Sequence, residues 1–550
     1  MTLKFNALRL LFFLTICLTA TFSVKASDAD SLVLNQDEKF EIDETQSISH
    51  RINQKFTPFV NGLASVLFWD PFAAAGIYDP QVYDVHGEPV VDPKGKPVTA
   101  PLKLIVLWLM AGGLFFTVYL RFINFRAFRH SIGLITGKHD KPDSKGEVSH
   151  FQALTTALSA TVGLGNIAGV AIAISIGGPG ATLWMIMAGL LGMSLKFSEC
   201  TLGLKYRRLD DQGRVSGGAM YYLREGLANK GLGKLGWFLA VLFSVMAIGG
   251  SVGGGNMLQA NQAFEQFASF FPKVDDFGFW YGVVMAAFVG LVIVGGIRSI
   301  ARVTSRIVPV MAFIYVGASL IIIFLNIEET PRVFSMIWNG AFNAEAMRGG
   351  FIGVLIFGFQ RGAFSNEAGV GSASIAHATA RTDEPVSEGI VSLLEPFVDT
   401  VVICTMTAMV IIFSGVFEHS DGLQGVQLTS AAYASVFSWF PYVLLAAVTL
   451  FAFSTMISWS YYGMKGFDFL FGSLSQKLFG SRKFSNQFFN LLFLVCIVIG
   501  TSSDLGPVMD FSDMMVLCMA FPNLLGLFIL APEVKRDLKI YWKKRKRQKN

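Results

Sequence analysis

Two short stretches carry most of the chemistry this sequence offers. The first is SATVGLGNIAG, Ser159 to Gly169, and the second is GFQRGAFSNEAGVGSAS, Gly358 to Ser374. Each sets glycines and polar residues inside an apolar run. Glycine tolerates non-helical backbone. In a bilayer, an unwound turn exposes amides and carbonyls that lipid cannot satisfy, so it has to line a polar cavity. A half-helix N-terminus there attracts a carboxylate, and freed carbonyls attract a cation. The competing reading is that the glycines only allow close helix packing. Two breaks that carry Asn166, Gln360, Arg361, Asn366 and Glu367 argue for a binding site.

Ionisable residues inside apolar runs are the second set of candidates, because charge is costly there. Glu395 and Asp399 lie four apart on one helix face, a pair suited to proton relay or an inner gate. Lys196 and Glu199 lie three apart and are expected to pair or to snorkel. Arg361 and Glu367 flank the second break and are expected to pair and hold its shape. Asp510 and Asp513 open the last apolar run and are expected to face an outer vestibule.

The elements that must position these residues are membrane helices. Hydrophobic residues make up 53% of the 550 positions and charged residues 15%, against about 25% charged in soluble domains. Mean hydropathy is +0.52. A soluble surface could not hide that apolar excess. An all-α polytopic membrane protein follows, to the exclusion of disordered, fibrous and nucleic-acid-binding classes. The five Cys show no CxxC spacing and give no disulfide framework.

Residues 1–26 read as a secretory signal peptide: Lys4 and Arg9, a short apolar stretch, then Val24-Lys25-Ala26. A first membrane helix is the alternative. Residues 27–101 read as an exported polar segment, with a short interfacial or re-entrant helix at 56–78 interrupted by Asp70-Pro71. Eleven spans follow, at 102–122, 151–177, 181–204, 236–264, 280–300, 307–326, 350–377, 391–416, 441–464, 485–503 and 508–530. Thirty Lys and Arg fall in the segments assigned to the cytoplasm and three in the short outer loops. That bias predicts a multi-pass protein of a bacterial inner membrane, with a periplasmic N-terminus and a cytoplasmic C-terminus. The basic tail 532–550 reads as an anchor to anionic lipid headgroups, with no nucleic-acid partner.

After the extra helix at 102–122 the chain divides into halves 149–328 and 350–531, each with five spans and each opening on one of the breaks. An odd number of spans per half puts the halves in opposite orientations, as an inverted repeat requires.

At these motifs the sequence resembles the alanine/glycine:cation symporter family, within the amino acid–polyamine–cation group. The matching strings include GEVSHFQALTTALSATVGLGNIAGVAIAISIGGPGA (146–181), KFSECTLGLKYR (196–207), GNMLQANQAF (255–264), RGAFSNEAGVGSASIAHATA (361–380), FAFSTMISWSYYG (451–463) and DFSDMMVLCMAFPNLL (510–525). They run in the family's order over about 146–530. RGAFSNEAGVGSA is the most specific. Departures are Leu183-Trp184-Met185-Ile186, Gly217-Gly218-Ala219, Leu164 in the unwound stretch, and the exported leader.

The resemblance implies a LeuT-like 5+5 fold and symport of a small neutral amino acid, chiefly alanine or glycine, with sodium or sometimes protons. It implies no further cofactor. Backbone amides of Gly163, Leu164, Gly165 and Asn166 would meet the substrate carboxylate. Carbonyls near Phe357, Gly358 and Phe359 would meet the ammonium, with the two Phe bounding the side chain. Gln259 would be a further contact, unless it is only interhelical glue. Sodium would lie between carbonyls of Ser159 and Val162 and hydroxyls of Ser454 and Thr455. An intramembrane enzyme lacks support: the seven His lie almost all in loops, and no HExxH occurs. A channel would not need two matched breaks. A substrate sensor on the same frame is a further alternative.

Overall fold

The structure is a computed structural model. It describes residues 103–549 apart from 138–143, 211–212, 272–276, 343–349, 420–422 and 424. Before 103 it describes residues 54, 56–62, 70–76 and 80–81. The signal peptide and most of the exported segment lie outside the described residues.

The chain is built almost wholly of helices. Among the described residues, seven are long and apolar enough to cross a membrane, or eight if one bent pair counts as a single span. Leu104–Tyr119 and Gly278–Ile293 are shorter apolar helices. The only strands among the described residues are a two-stranded antiparallel ribbon, Arg208–Leu209 with Val215–Ser216.

The bent pair is the first break. Ser149 caps His150–Thr161 through a capping box: the Gln152 N–H donates to Ser149 Oγ at 3.2 Å, and the Ser149 N–H donates to Gln152 Oε1 at 3.1 Å. The helix stops where Gly163 turns extended. A short 3-10 turn, Leu164–Asn166, leads into Ala168–Gly177, and the axis bends by 56°. Room is the reason for glycine at 163. A Cβ there would lie 2.6 Å from Thr455 Oγ1 and 2.9 Å from Gln259 Oε1.

The second break lies later than the glycine pattern suggests. Gly350–Asn366 runs unbroken past Gly358 and Gly362. The chain leaves the helix at Glu367, which has φ 53°, and Gly369 and Gly371 follow at φ 86° and 92°. It re-enters a short helix at Ala373–His377.

Three long helices frame the breaks: Ala181–Lys205, Phe440–Phe479 and the run Gly233–Phe270. The last contains a π turn at Gly253–Met257, a feature common at functional sites. There a Cβ on Gly255 would lie 2.1 Å from Trp459 Cγ, so the backbone rests directly on the indole. The basic tail continues the helix Ala520–Lys549. It is tied back by Lys205 to Glu533 at 2.6 Å and to Asp537. Tyr206 donates to Glu533 at 2.8 Å. Burial, then that carboxylate, push its phenol up to about 12, so it stays a donor. At the other end, residues 56–62 are helical and pack on Phe511, with the Phe56 and Phe511 rings 5.9 Å apart.

Gly255→Ala tests the contact under the π turn. It should destabilise the protein by about 1–3 kcal/mol through overpacking, read as a lowered thermal midpoint in detergent. An unchanged midpoint would show that Trp459 can move aside.

Candidate binding site at two helix breaks

The two breaks meet at one buried carboxylate. Asn166 donates through Nδ2 to Asp399 Oδ1 at 2.7 Å and to the Asp399 carbonyl at 3.1 Å. Asp399 Oδ2 accepts from Ser365 at 2.8 Å and from Thr400 at 2.7 Å. Asn166 belongs to the first break, and Ser365 sits just before the second. Asp399 lies in a π-helical segment, Phe397–Cys404, whose wider turn brings its side chain to both. Nearby, Thr407 donates to the Asn166 carbonyl at 2.8 Å, which takes up one group the unwinding exposes.

The amides of the first break are already held. The Gly163 N–H donates to Asn166 Oδ1 at 2.8 Å, and the Leu164 N–H donates to Gln259 Oε1 at 3.0 Å. Gln259 then donates to the Gly254 carbonyl at 2.8 Å, in the π turn. Gln259 therefore both touches the break and glues helices.

A cavity opens beside this turn. Thr161 and Gly165 line it from the first break, Ser365 and Glu367 from the second, and Gln259 and Trp459 from flanking helices. The Glu367 carboxylate accepts from Trp459 Nε1 at 3.0 Å and from Ser372 at 2.5 Å. Trp459 Nε1 also donates to the Ala160 carbonyl at 3.2 Å, so the indole bridges both breaks. Trp459 was missed in the sequence. Its only signal was a polar-tipped aromatic four residues beyond a hydroxyl pair within FAFSTMISWSYYG.

Phe357, Gly358 and Phe359 do not reach this cavity as expected. They lie within the continuous helix, whose carbonyls are spent on its own hydrogen bonds. A Cβ on Gly358 would lie 2.5 Å from the Ala181 carbonyl, so this glycine serves helix packing, and Phe359 is buried in the core.

The ion candidates converge only in part. Thr455 donates to the Ser159 carbonyl at 2.9 Å, and Ser159 donates to the Ser454 carbonyl at 2.6 Å. Val162 ends the helix, and Gly163 after it lies against the Thr455 hydroxyl. The Ser454 hydroxyl instead turns back to the Phe451 carbonyl at 3.0 Å, the back-bonding common to hydroxyls in apolar helices. One turn further on, Ser458 Oγ is buried with no partner among the described residues.

The charged candidates choose unexpected partners. Arg361 does not pair with Glu367. Its guanidinium forks onto Asp513, 3.1 Å from Oδ1 and closer to Oδ2, and Gln360 joins at 3.0 Å. Asp513 is buried with them rather than facing an open vestibule. Lys196 lies 2.8 Å from Glu395 and 4.0 Å from Glu199, so its main partner is across the bundle. Glu395 and Asp399, four apart, serve different clusters.

Apolar helices broken around a buried polar cavity are the build of a multi-pass membrane transporter. The chain belongs to the sodium:alanine symporter family, whose model matches residues 89–550. It is 39% identical over 457 residues to the sodium/alanine symporter AgcS of Methanococcus maripaludis, covering 82% of this chain and 96% of that protein. It is 35% identical over 451 residues to the probable sodium/glutamine symporter GlnT of Bacillus subtilis, covering 82% of this chain and 90% of that one. Among solved structures, MhsT in complex with L-phenylalanine matches with a TM-score of 0.47 at 12% identity, over 72% of this chain and 99% of that one.

Asn166→Asp tests the shared carboxylate. It would set a second acidic group against Asp399, and like charges in a buried site disfavour ionisation of both. The thermal midpoint should fall at about pH 8 and recover in part at about pH 5, where one carboxyl takes up a proton. A variant as stable as the parent at both pH values would separate Asp399 from the integrity of the breaks.

Proposed function

We propose that the protein is a secondary active transporter that couples sodium entry to uptake of a small neutral amino acid, alanine or glycine, by alternating access. The observation that carries this reading is the cavity between the two breaks. It offers a zwitterion opposite features at short range. On one side lies the start of the helix Ala168–Gly177, at Gly165 and Asn166, where the helix dipole favours a carboxylate. On the other lies the Glu367 carboxylate, a partner for an ammonium group. Gln259 reaches the same space and can exchange its bond to the Leu164 amide for one to substrate. Trp459 and Phe364 bound the remaining volume, which favours a side chain of alanine size over one of glutamine size.

Sodium is the cargo that shares the first break. The carbonyls of Ser159 and Val162 and the hydroxyl of Thr455 supply neutral oxygens, with the Ser454 carbonyl close behind. Ion and substrate would then stabilise the same bent backbone, and neither could leave without loosening the other's site. Proton-coupled transport of a different small amino acid is the second reading. The buried carboxylates beside the breaks favour it over a channel.

The same reading extends to topology: a LeuT-like five-plus-five inverted repeat with an extra helix at 102–122, eleven spans, an exported N-terminus and a cytoplasmic C-terminus in a bacterial inner membrane. It divides the chain into a leader, residues 1–26, an exported segment, 27–101, halves 149–328 and 350–531, and the tail 532–550.

In proteoliposomes, an inward sodium gradient should drive accumulation of labelled alanine. Uptake indifferent to both sodium and proton gradients would overturn the symport reading. Thr455→Ala should raise the sodium concentration for half-maximal uptake by about tenfold, the loss of one ligand worth about 1.4 kcal/mol, with the thermal midpoint little changed. Unaltered sodium dependence would remove Thr455 from the ion site.

A further inference from the structure

A second buried polar cluster lies apart from the cavity. His377 ends the short helix after the second break, and Glu395 opens the next long helical run. His377 Nδ1 lies 2.5 Å from Glu388 Oε1, and the other Glu388 oxygen holds His150 Nδ1. On its far side, His377 Nε2 faces Glu395 Oε2 at 3.5 Å. The remaining Glu395 oxygen accepts from Lys196 at 2.8 Å. His377, Glu388, Glu395, Lys196 and Glu199 are all 0% exposed.

The arrangement is short of one hydrogen. His377 Nε2 and Glu395 Oε2 are both buried and have no hydrogen-bond partner among the described residues. With the neutral ring's one proton placed on Nδ1 toward Glu388, Nε2 and Oε2 are two acceptors opposed in a low-dielectric interior, where they repel and an unsatisfied buried polar atom is costly. One proton between them converts that contact into a charge-assisted hydrogen bond. Charge points the same way. Glu199 and Glu395 share the cation Lys196, Glu388 lies between His150 and His377, and a protonated imidazole lessens the negative excess.

We propose that His377 and Glu395 together bind one exchangeable proton, and that its occupancy latches the second break to the rest of the bundle. The groups facing the pair are these. Lys196, Glu199 and Cys200 come from Ala181–Lys205, His150 from His150–Thr161, and Glu388 from Pro385–Val391. Tyr462 comes from Phe440–Phe479 and Asp399 from the next turn, and Glu367 lies beyond Lys196. None of them donates to the facing nitrogen or oxygen, so the added proton has to come from water. It forms an N–H bond at Nε2, shared with Oε2, and returns to water on release.

With the proton in place, Ala373–His377, the head of the next run and Ala181–Lys205 are joined through His377, Glu395 and Lys196. Without it, ring and carboxylate push apart and the contact opens. Rising pH therefore frees the second break to move. Loss of the proton leaves two buried acceptors opposed, so stability falls as pH rises through its release.

The experiment uses the full-length protein with pH equal on both sides, scanned from about pH 5.5 to about pH 9, the range in which imidazole exchanges its proton. Two quantities are read: the thermal midpoint in detergent, and sodium-driven alanine uptake in proteoliposomes. In the parent protein the midpoint should fall and uptake should rise at least about fivefold across the range. His377→Gln has no proton to exchange and should flatten both curves. Glu395→Gln keeps an oxygen for Lys196 and offers an amide N–H to His377 Nε2. It mimics the latched state, and should hold uptake at the acid level at every pH with a midpoint no lower than the parent's. Flat curves in the parent overturn the proposal, as does a folded His377→Gln protein that keeps the parent's pH dependence. If neither variant folds, the parent's two curves decide alone. Zero uptake at every pH would count against the transport reading, and the midpoint curves would still test the proton site.

Discussion

The carboxylate of Asp399 is the point on which the arrangement turns. It accepts from Asn166 on one break, from Ser365 beside the other, and from its neighbour Thr400. In hydrocarbon, unwound backbone survives only where side chains or ligands replace the lost helical bonds. Asn166 can hold the Gly163 amide with its oxygen because its nitrogen is anchored on Asp399. The break is thus a chain of dependence: carboxylate, carboxamide, backbone amide. Gln259 performs the same service for the next amide from a different helix. A substrate that enters this site does not meet bare backbone. It has to exchange places with side chains already holding it.

Much of this was legible in the sequence, and the limit is physical. The first break could be read because its cause is local: Gly163, Gly165 and Asn166 together inside an apolar run. The second was placed too early. Gly358 and Gly362 suggested an interruption, yet both serve close contact with Ala181–Lys205. The true break begins at Glu367, a residue type that helix propensity would not single out. Charge partners were legible only in part: the Lys196–Glu199 pair forms at 4.0 Å, and the Arg361–Glu367 pair does not. Spacing on one helix paired Lys196 with Glu199 and Arg361 with Glu367. The fold supplied nearer partners in Glu395 and Asp513. Sequence separation shows which charges share a helix face, but the stronger bond goes to whichever group the packing brings within 3 Å. Trp459 escaped notice for a related reason. Its role depends on two acceptors from different segments that only the folded chain brings together.

The two breaks are similar in position and unlike in build. The first is neutral, closed by amide side chains, and has a hydroxyl neighbour in Thr455. The second is charged, with Glu367 at its start and a histidine–carboxylate cluster at its end. Neutral oxygens suit an ion that must leave again, while fixed charge suits an ammonium group or a proton. In the proposed reading sodium lies at the first break and the substrate ammonium at the second, and both breaks meet at one cavity.

Glu367 has a consequence that reaches beyond binding. Its backbone occupies the left-handed region, which costs a residue with a side chain about 1–3 kcal/mol and costs glycine almost nothing. Backbone conformation alone would place glycine at 367, as it does at 369 and 371. With Glu367 in its proposed binding role, backbone ease and activity are set against each other at a single residue. Selection for a sturdier protein and selection for a working one would therefore choose differently there.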